Sequence, residues 1–588
     1  MSSFSPAILL PAVLAFAGVP AALPQSEDSV LVTYDLHAVL PRWDAGPGWS
    51  QSLLEPPVAS PNRIKELETI EGSLRYADLA AFELLDLLTQ VLGDELRREG
   101  RELLIEGSVL SVLAPPGLHE QVRAVLDGLS QALAGTIPLR IDVLGLAEGG
   151  GELVPAGTLG EDEAAKLVAA LVVRGAQHKS YSLELCAGRT VHLDAYRRIP
   201  FLFDYDVEIA QNMMVFAPVM SAIREGTRLV LHGRSAPGGV ALSVLLMRSE
   251  QVGKIQTQPL TLKGLLNPPE GGGMEVLMGP GGIQSPEVLA RGLAFDTFLP
   301  EGKALALTLE AKMGAASTRE VVLIRRNGGA MRSYVVRPIP RTNRTLIALD
   351  AGLFRPGSLH TEAEPWIDEH GALQPSALVK FDGEFSGFLL EWLKERFSIW
   401  RRFGPWILIV TDPAWDRDAA AQLDRLVKSV QRSTALYDVG IDLRAQGREA
   451  NHPVRIHVPI LAGSSAGMVL ARGETAVTGF DVEVAQGAAV PDPFVGSVFE
   501  GVALSLAFGE TSVEANGLAQ LFDAPIAQLE SGYDLLGPIE RPEPRVLRFD
   551  ERLELSDGRT GPLRIGSGSD RPDQPGFALE ITVAPVPR

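Results

Sequence analysis

Two stretches of this chain repeat each other. Asp206-Val207-Glu208-Ile209-Ala210-Gln211 returns 275 positions later as Asp481-Val482-Glu483-Val484-Ala485-Gln486. The match runs on without a gap, so that Pro218 meets Pro493 and Gly226 meets Gly501. Between 206–226 and 481–501, nine of twenty-one positions are identical, where unrelated segments would share about one or two. A fixed-offset match of this kind makes the chain two copies of one unit, and every local reading has to fit that frame.

The length, 588 residues, allows about four domains of ordinary size. With 46% hydrophobic and 21% charged residues, each can bury a core. A net charge of −20 excludes a nucleic-acid surface built on phosphate contacts, which needs a basic face. Residues 1–22 read as a secretory signal: Ile8 to Ala22 is apolar, too short to cross a bilayer comfortably, and ends in Val19-Pro20-Ala21-Ala22, which suits a cleavage site, although no Lys or Arg precedes it. No later run reaches the ~18 apolar residues of a membrane helix. Cys186 is the single cysteine, which excludes an intrachain disulfide, and its strand-like context suits a buried structural thiol.

Taken in order, 29–146 reads as strand, helix, two short strands, helix and strand. Leu84, Leu85, Leu88, Val91 and Leu92 make one apolar stripe, and Leu118, Val122, Val125, Leu126 and Leu129 another. The second copy, 331–446, shows the same order: Tyr334 lies 300 positions after Tyr34, and Ile441-Asp442-Leu443 answers Ile141-Asp142-Val143 at the same offset. A helix is expected over Phe388 to Phe397, and Leu423, Leu426, Val427 and Val430 repeat the earlier helical spacing. The segments 147–326 and 447–588 read as all-β, with Phe295-Asp296 and Phe549-Asp550 anchoring their later parts. The expected fold class is therefore α+β: a small β-α-β-β-α-β domain followed by an all-β domain, duplicated in tandem.

The order of these marks resembles the bacterial secretins of type II and type III secretion systems. A Tyr-led strand, a helix, a hairpin ending in Pro and the run Glu120-Gln121-Val122-x-x-Val125-Leu126 resemble the ring-building secretin N-domain. Pro218 to Gly226 followed by Thr227-Arg228-Leu229-Val230-Leu231, the turn Pro300-Glu301-Gly302, and Arg319 to Ile324 resemble the secretin C-domain. The family's gate-like segment has no counterpart in Ala311 to Thr318, and N- and C-type domains alternate instead of stacking. The resemblance implies an exported cell-envelope protein, periplasmic or peripherally associated with the outer membrane, that serves protein secretion as a scaffold or assembly component. Its implied partners are other envelope proteins or further copies of itself. A monomeric binding or adhesion module using the same folds is the alternative.

No constellation of catalytic, cofactor or metal residues is expected, so the chain reads as no enzyme, and no small-molecule ligand is inferable. Gly463-Ser464-Ser465-Ala466-Gly467 matches G-x-S-x-G but joins strand to strand, whereas that motif works on a strand-to-helix turn. His360, Glu362, Glu364, Asp368 and His370 are interrupted by Pro365 and read as a solvated loop. His457 reads as a half-buried strand histidine, and the Gly-rich runs 149–151 and 271–273 lack the Lys-Ser/Thr of a phosphate loop. The repeat signature itself, Asp206, Glu208, Gln211, Pro218 and Gly226 with Asp481, Glu483, Gln486, Pro493 and Gly501, is expected to be structural. No strand shows the lipid-facing alternation of a membrane barrel; Val240 to Met247, apolar but for Ser243, suits burial between protein layers.

Overall fold

Alternating apolar side chains and frequent turns make strand the dominant element. The computed structural model describes residues 29–36, 49–52 and 84–93, and between 101 and 585 the elements named below with their adjoining turns. The first part comprises β1 (Val30–Asp35), β2 (Trp49–Ser52), helix α1 (84–92), β3 (Glu102–Glu106), β4 (Val109–Ala114) and α2 (Pro116–Leu133). There follow β5 (Thr136–Leu146), β6 (Gly157–Gly160), α3 (Glu161–Val173), β7 (Gln177–Cys186), β8 (Thr190–Ala210), β9 (Met213–Ala236), β10 (Gly239–Gln258), β11 (Leu262–Leu266), β12 (Met274–Met278), β13 (Ile283–Pro300), β14 (Lys303–Met313) and β15 (Ala316–Arg326). The third part holds β16 (Tyr334–Ile339), β17 (Arg344–Asp350), β18 (Ser358–Ile367), β19 (Leu373–Asp382), β20 (Ile399–Phe403), β21 (Trp406–Thr411) and α4 (Ala419–Val430). The last holds β22 (Leu436–Gln446), β23 (Val454–Leu461), β24 (Ser465–Ala485), β25 (Ala488–Phe508), β26 (Ser512–Phe522), β27 (Ala527–Leu529), β28 (Ile539–Arg541), β29 (Pro544–Glu554), β30 (Leu563–Gly566) and β31 (Gly576–Pro585). The expected signal segment and the expected helix 388–397 lie outside the described residues, apart from Leu393. None of the described helices is long and apolar enough to cross a membrane.

The expected α+β class is overturned. The chain is mostly β, in several antiparallel sheets, and neither small domain closes as β-α-β-β-α-β. The first small sheet has three strands, ordered β1-β4-β3. Its expected closing strand, β5, instead pairs with β15 on one side and β7 on the other, inside a nine-stranded sheet. The reason is burial: Ile137, Leu139, Ile141 and Val143 enter the large core while Leu144 packs under α3. A strand buried on both faces needs neighbours on both edges, which the rim of a small sheet cannot supply. β22 leaves the second small sheet in the same way, between β23 and β31.

The second small sheet is ordered β16-β17-β21-β20. β17 pairs with β21 as β1 pairs with β4: Leu346 faces Val410 where Leu31 faces Leu113, and Asp350 faces Trp406 where Asp35 faces Val109. The counterpart of β1 is therefore β17, and Tyr334 lies on the additional strand β16, so the 300-residue match of Tyr34 with Tyr334 is not a structural equivalence. The two sheets and their helices form four layers. One face of the first sheet covers α1 and α2, whose other side packs on Val335, Ile339, Leu346, Ala348, Leu408 and Val410 of the second sheet. α4 lies on the far face, with Leu423, Leu426 and Val427 against Ile347, Leu349, Ile407 and Ile409.

Polar contacts fix this stack. Arg344 Nη1 donates to the carbonyls of Gln90 and Val91 at 3.3 and 2.9 Å, capping the last turn of α1 with positive charge. Arg341 pairs with Glu120 at 2.8 Å. His119 Nε2 lies 2.9 Å from the carbonyl of Val30 and 3.0 Å from that of Ala114. Carbonyls only accept, so Nε2 carries the proton and Nδ1 accepts from the Tyr34 hydroxyl at 2.9 Å. On the other side, burial and then the Asp424 carboxylate, which accepts its hydroxyl at 2.8 Å, push the Tyr334 pKa up to about 12.

At the centre of the stack α2 presents Gly128, whose Cα side is so close to β17 that an added Cβ would meet Leu346 Cδ2 at 3.0 Å. Gly128→Leu is expected to overpack this contact at a cost of about 1–3 kcal/mol, read as a lower thermal midpoint with unchanged far-ultraviolet circular dichroism.

Candidate functional site

The two β-modules share one strand order. In the ten-stranded sheet the first module runs β8-β9-β10-β13 and the second β24-β25-β26-β29; in the nine-stranded sheet they run β7-β5-β15-β14 and β23-β22-β31-β30. The modules join edge to edge in both layers. β13 pairs antiparallel with β24, from Val288 opposite Gly473 to Phe295 opposite Ala466, and β14 pairs with β23, from Thr308 opposite His457 to Ala311 opposite Val454. Arg472 Nε meets Glu287 at 2.8 Å across the first seam. One apolar core runs through both modules, holding Val244, Leu293 and Phe295 of the first with Met468, Leu504 and Val583 of the second. An apolar gap at the seam, lined by Phe295, Ile441, Val458 and Met468 among others, offers no polar group to hold a ligand.

The repeat signature marks the long hairpins at the start of each module. Tyr196 faces Gly226 in one and Ala471 faces Gly501 in the other. Both glycines have positive φ, +148° and +156°, and both approach the neighbouring backbone so closely that a Cβ would lie 2.2 Å from the carbonyl oxygen of Ala195 and 2.0 Å from that of Leu470. Each hairpin then slips register at one place, between Leu202 and Asp204 and between Val477 and Gly479, again 275 positions apart. Beyond the bulge Asp206 faces Ala217, Glu208 faces Val215 and Pro218 faces Tyr205; Asp481 faces Asp492, Glu483 faces Val490 and Pro493 faces Phe480. Gln211 and Gln486 lie outside the described residues. The described signature residues are thus strung along two arms.

The later anchor of the repeat needs correcting. Ala290 faces Ser249, which faces Gly226; Val546 faces Gln520, which faces Gly501. Val546 therefore corresponds to Ala290, and Phe549 takes the place of Leu293, not of Phe295. A slip of two residues keeps every side chain on its face, so apolar pattern alone could not separate the two alignments.

Sequence reading missed the buried polar groups. Ser243, the one polar residue between Val240 and Met247, donates to Asp296, which is 0% exposed, and faces His232 on its other side. This ladder has serine between histidine and carboxylate, with its proton given to the carboxylate, the reverse of the arrangement that activates a nucleophile. Ser465 opens β24 after the turn at Gly463, so the G-x-S-x-G run does join strand to strand. His360, Glu362 and Glu364 occupy alternate positions of β18, while Asp368 and His370 lie outside the described residues. His457 is half-buried, 3.8 Å from Asp438. No group of His, Cys, Asp and Glu able to hold a metal occurs among the described residues.

Two charged clusters brace the first module. Arg291, 5% exposed, reaches Glu320 of the other layer at 3.3 Å and Glu250 at 2.9 Å, and Arg248 also pairs with Glu320, so the two sheets are tied at the end of their shared core. Asp142, 0% exposed, receives His178 Nε2 at 2.9 Å, Arg140 Nε at 3.3 Å and Arg325. Burial opposes its ionisation, but hydrogen bonds from His178, Ser180 and Arg325 and the Arg325 charge outweigh it and hold the carboxyl below its usual range.

No protein-family model matches the chain, and no curated protein matches it. Among solved structures, the InvG secretin domain β-barrel from the Salmonella SPI-1 injectisome NC-base matches at 11% identity, covering 41% of this chain and 76% of that one, with a TM-score of 0.18. This is a weak likeness to a secretin barrel, and the functional reading rests on the chain's own geometry.

Two outcomes follow. Gly226→Ala and Gly501→Ala should each lower the free energy of urea unfolding by about 1–3 kcal/mol, seen as a lower midpoint, because both backbone strain and a steric overlap oppose the new Cβ. Asp142→Asn should cost about 3 kcal/mol. Since the folded-state carboxyl is lowered, its contribution is present above the ordinary carboxylate range and is lost as pH falls through the lowered value; the wild-type acid-unfolding limb should flatten in the variant.

Proposed function

We propose that this chain is a non-enzymatic, self-assembling scaffold of the cell envelope, of the kind that serves secretion, in which each chain supplies two side-by-side modules. The observation that carries this reading is the seam itself. The first module offers the β13 edge and the second offers the β24 edge; the equivalents of those edges, β29 and β8, stand at the two ends of the run of module strands, each with a ladder partner on one side only among the described residues. An interface between unlike edges repeats from copy to copy, giving a ring or a filament according to the turn per copy.

Carrying the internal register over places Phe549 opposite Leu193 and Arg548 opposite Asp194 of the next chain. Both juxtapositions are favourable, one apolar and one of opposite charge. The pairing edge of β8 is limited to Thr190–Arg198. Beyond it the strand turns over the sheet, where Phe201 packs on Ile223 and Val288 and the Leu202 amide donates to Gln284 Oε1 at 2.7 Å.

The test is a disulfide. In a Cys186→Ser background, Asp194→Cys with Arg548→Cys should give oxidant-dependent multimers on a non-reducing gel, with neither single variant doing so beyond dimers. Sedimentation of the wild type at micromolar concentration should show species well above 63.0 kDa. A monodisperse 63.0 kDa species that never cross-links would instead favour a monomeric binding module.

A further inference from the structure

The two small sheets are equivalent, yet among the described residues only the second is covered on both faces. Leu346, Ala348, Leu408 and Val410 of the second sheet lie under α2. Their ladder counterparts in the first sheet are Leu31, Thr33, Ser111 and Leu113, from the matching pairs Leu31–Leu113 and Leu346–Val410, and Thr33–Ser111 and Ala348–Leu408. This outer face carries Leu31 at 65%, Leu104 at 60% and Val109 at 41% exposure. A cluster of that kind on one face of a sheet marks a contact surface.

We propose that this outer face of the β1-β4-β3 sheet receives α4 of a second copy of the chain, as the second sheet receives α2 within one chain. The proposal rests on the assembly reading above and adds a second seam to it. Its occupant is chosen by continuity with the internal contact. α4 is the counterpart of α2, since Leu423, Leu426 and Val427 fill the places of Val122, Val125 and Leu126 beneath their sheets. Inside the chain the first copy gives its helix side to the sheet of the second. The helix side left over belongs to the second copy, and the sheet face left over belongs to the first. That direction, second copy of one chain to first copy of the next, is also the direction of the β29-to-β8 edge.

Charge supports the same occupant. The α2 stripe that meets the second sheet runs through Gly117, Ala124 and Gly128, and the α4 position matching Ala124 is Arg425, which is exposed. On the receiving face Glu102 is exposed beside Leu113, and Asp35 lies beside Val109. The seam between chains is thus apolar at its centre with an arginine facing acids, and it weakens with salt.

The first sheet and α4 are the outermost of four layers, so they cannot meet within one chain, and any link between them joins two chains. Leu31→Cys with Arg425→Cys in the Cys186→Ser background, treated with a short bismaleimide, is expected to give a multimer ladder on a denaturing gel. Leu104→Glu is expected to weaken association about tenfold in sedimentation, roughly 1.4 kcal/mol, with an unchanged thermal midpoint of the monomer. Linkage through Leu31→Cys alone marks a sheet-to-sheet pair and overturns the proposal. So does a 194/548 ladder that forms while the 31/425 pair stays unlinked, which leaves the assembly reading standing; failure of both pairs overturns both.

Discussion

The antiparallel pairing of β13 with β24 is the contact on which the remaining architecture depends. It joins two modules of equal strand order into one sheet, and because β14 meets β23 in the layer behind, it does so twice. A sheet edge presents unpaired donors and acceptors that must be met by another strand or by water. Here one module meets them for the other, so the shared core through Phe295 and Met468 has no natural boundary between the copies.

The small sheets obey the same logic with faces in place of edges. α2 is amphipathic toward its own sheet, and its glycines make its back close enough to pack on the second sheet as well. The result is a helix layer held from both sides, with Arg344 and Arg341 supplying the polar anchors. Tyr34 and Tyr334 each tie a strand to a helix, one through His119 and the other through Asp424, although they sit on non-equivalent strands.

Much of this was legible in the sequence, and the losses have physical causes. The 275-residue repeat was legible, and its glycines at 226 and 501 are imposed by backbone geometry, which leaves a mark at one residue. The small domains were misread at β5 and β22, since a strand's sequence shows that it is buried on both faces but not which sheet buries it. Tyr334 was matched to Tyr34 because both begin apolar strands; only hydrogen-bond partners distinguish β16 from β17. The shift of Phe549 by two residues was invisible for the same reason, since period-two patterns survive it. Asp142 and the Ser243–Asp296 pair left no signal beyond a polar residue in an apolar strand, because their partners come from strands distant in sequence. The edges read as the candidate site are a property of strand order, which no local pattern encodes.

Tandem duplication also changes the thermodynamics of the seam. Two modules on one chain meet at an effective concentration fixed by their connection, in the millimolar range for short tethers, so the β13–β24 contact forms at any dilution. The same kind of contact between separate chains has no such tether and follows mass action. Covalent fusion therefore divides identical-looking interfaces into a permanent class and a reversible class. An assembly made this way comes apart only between chains, in units of two modules, and selection is free to tune the reversible seams without loosening the permanent one.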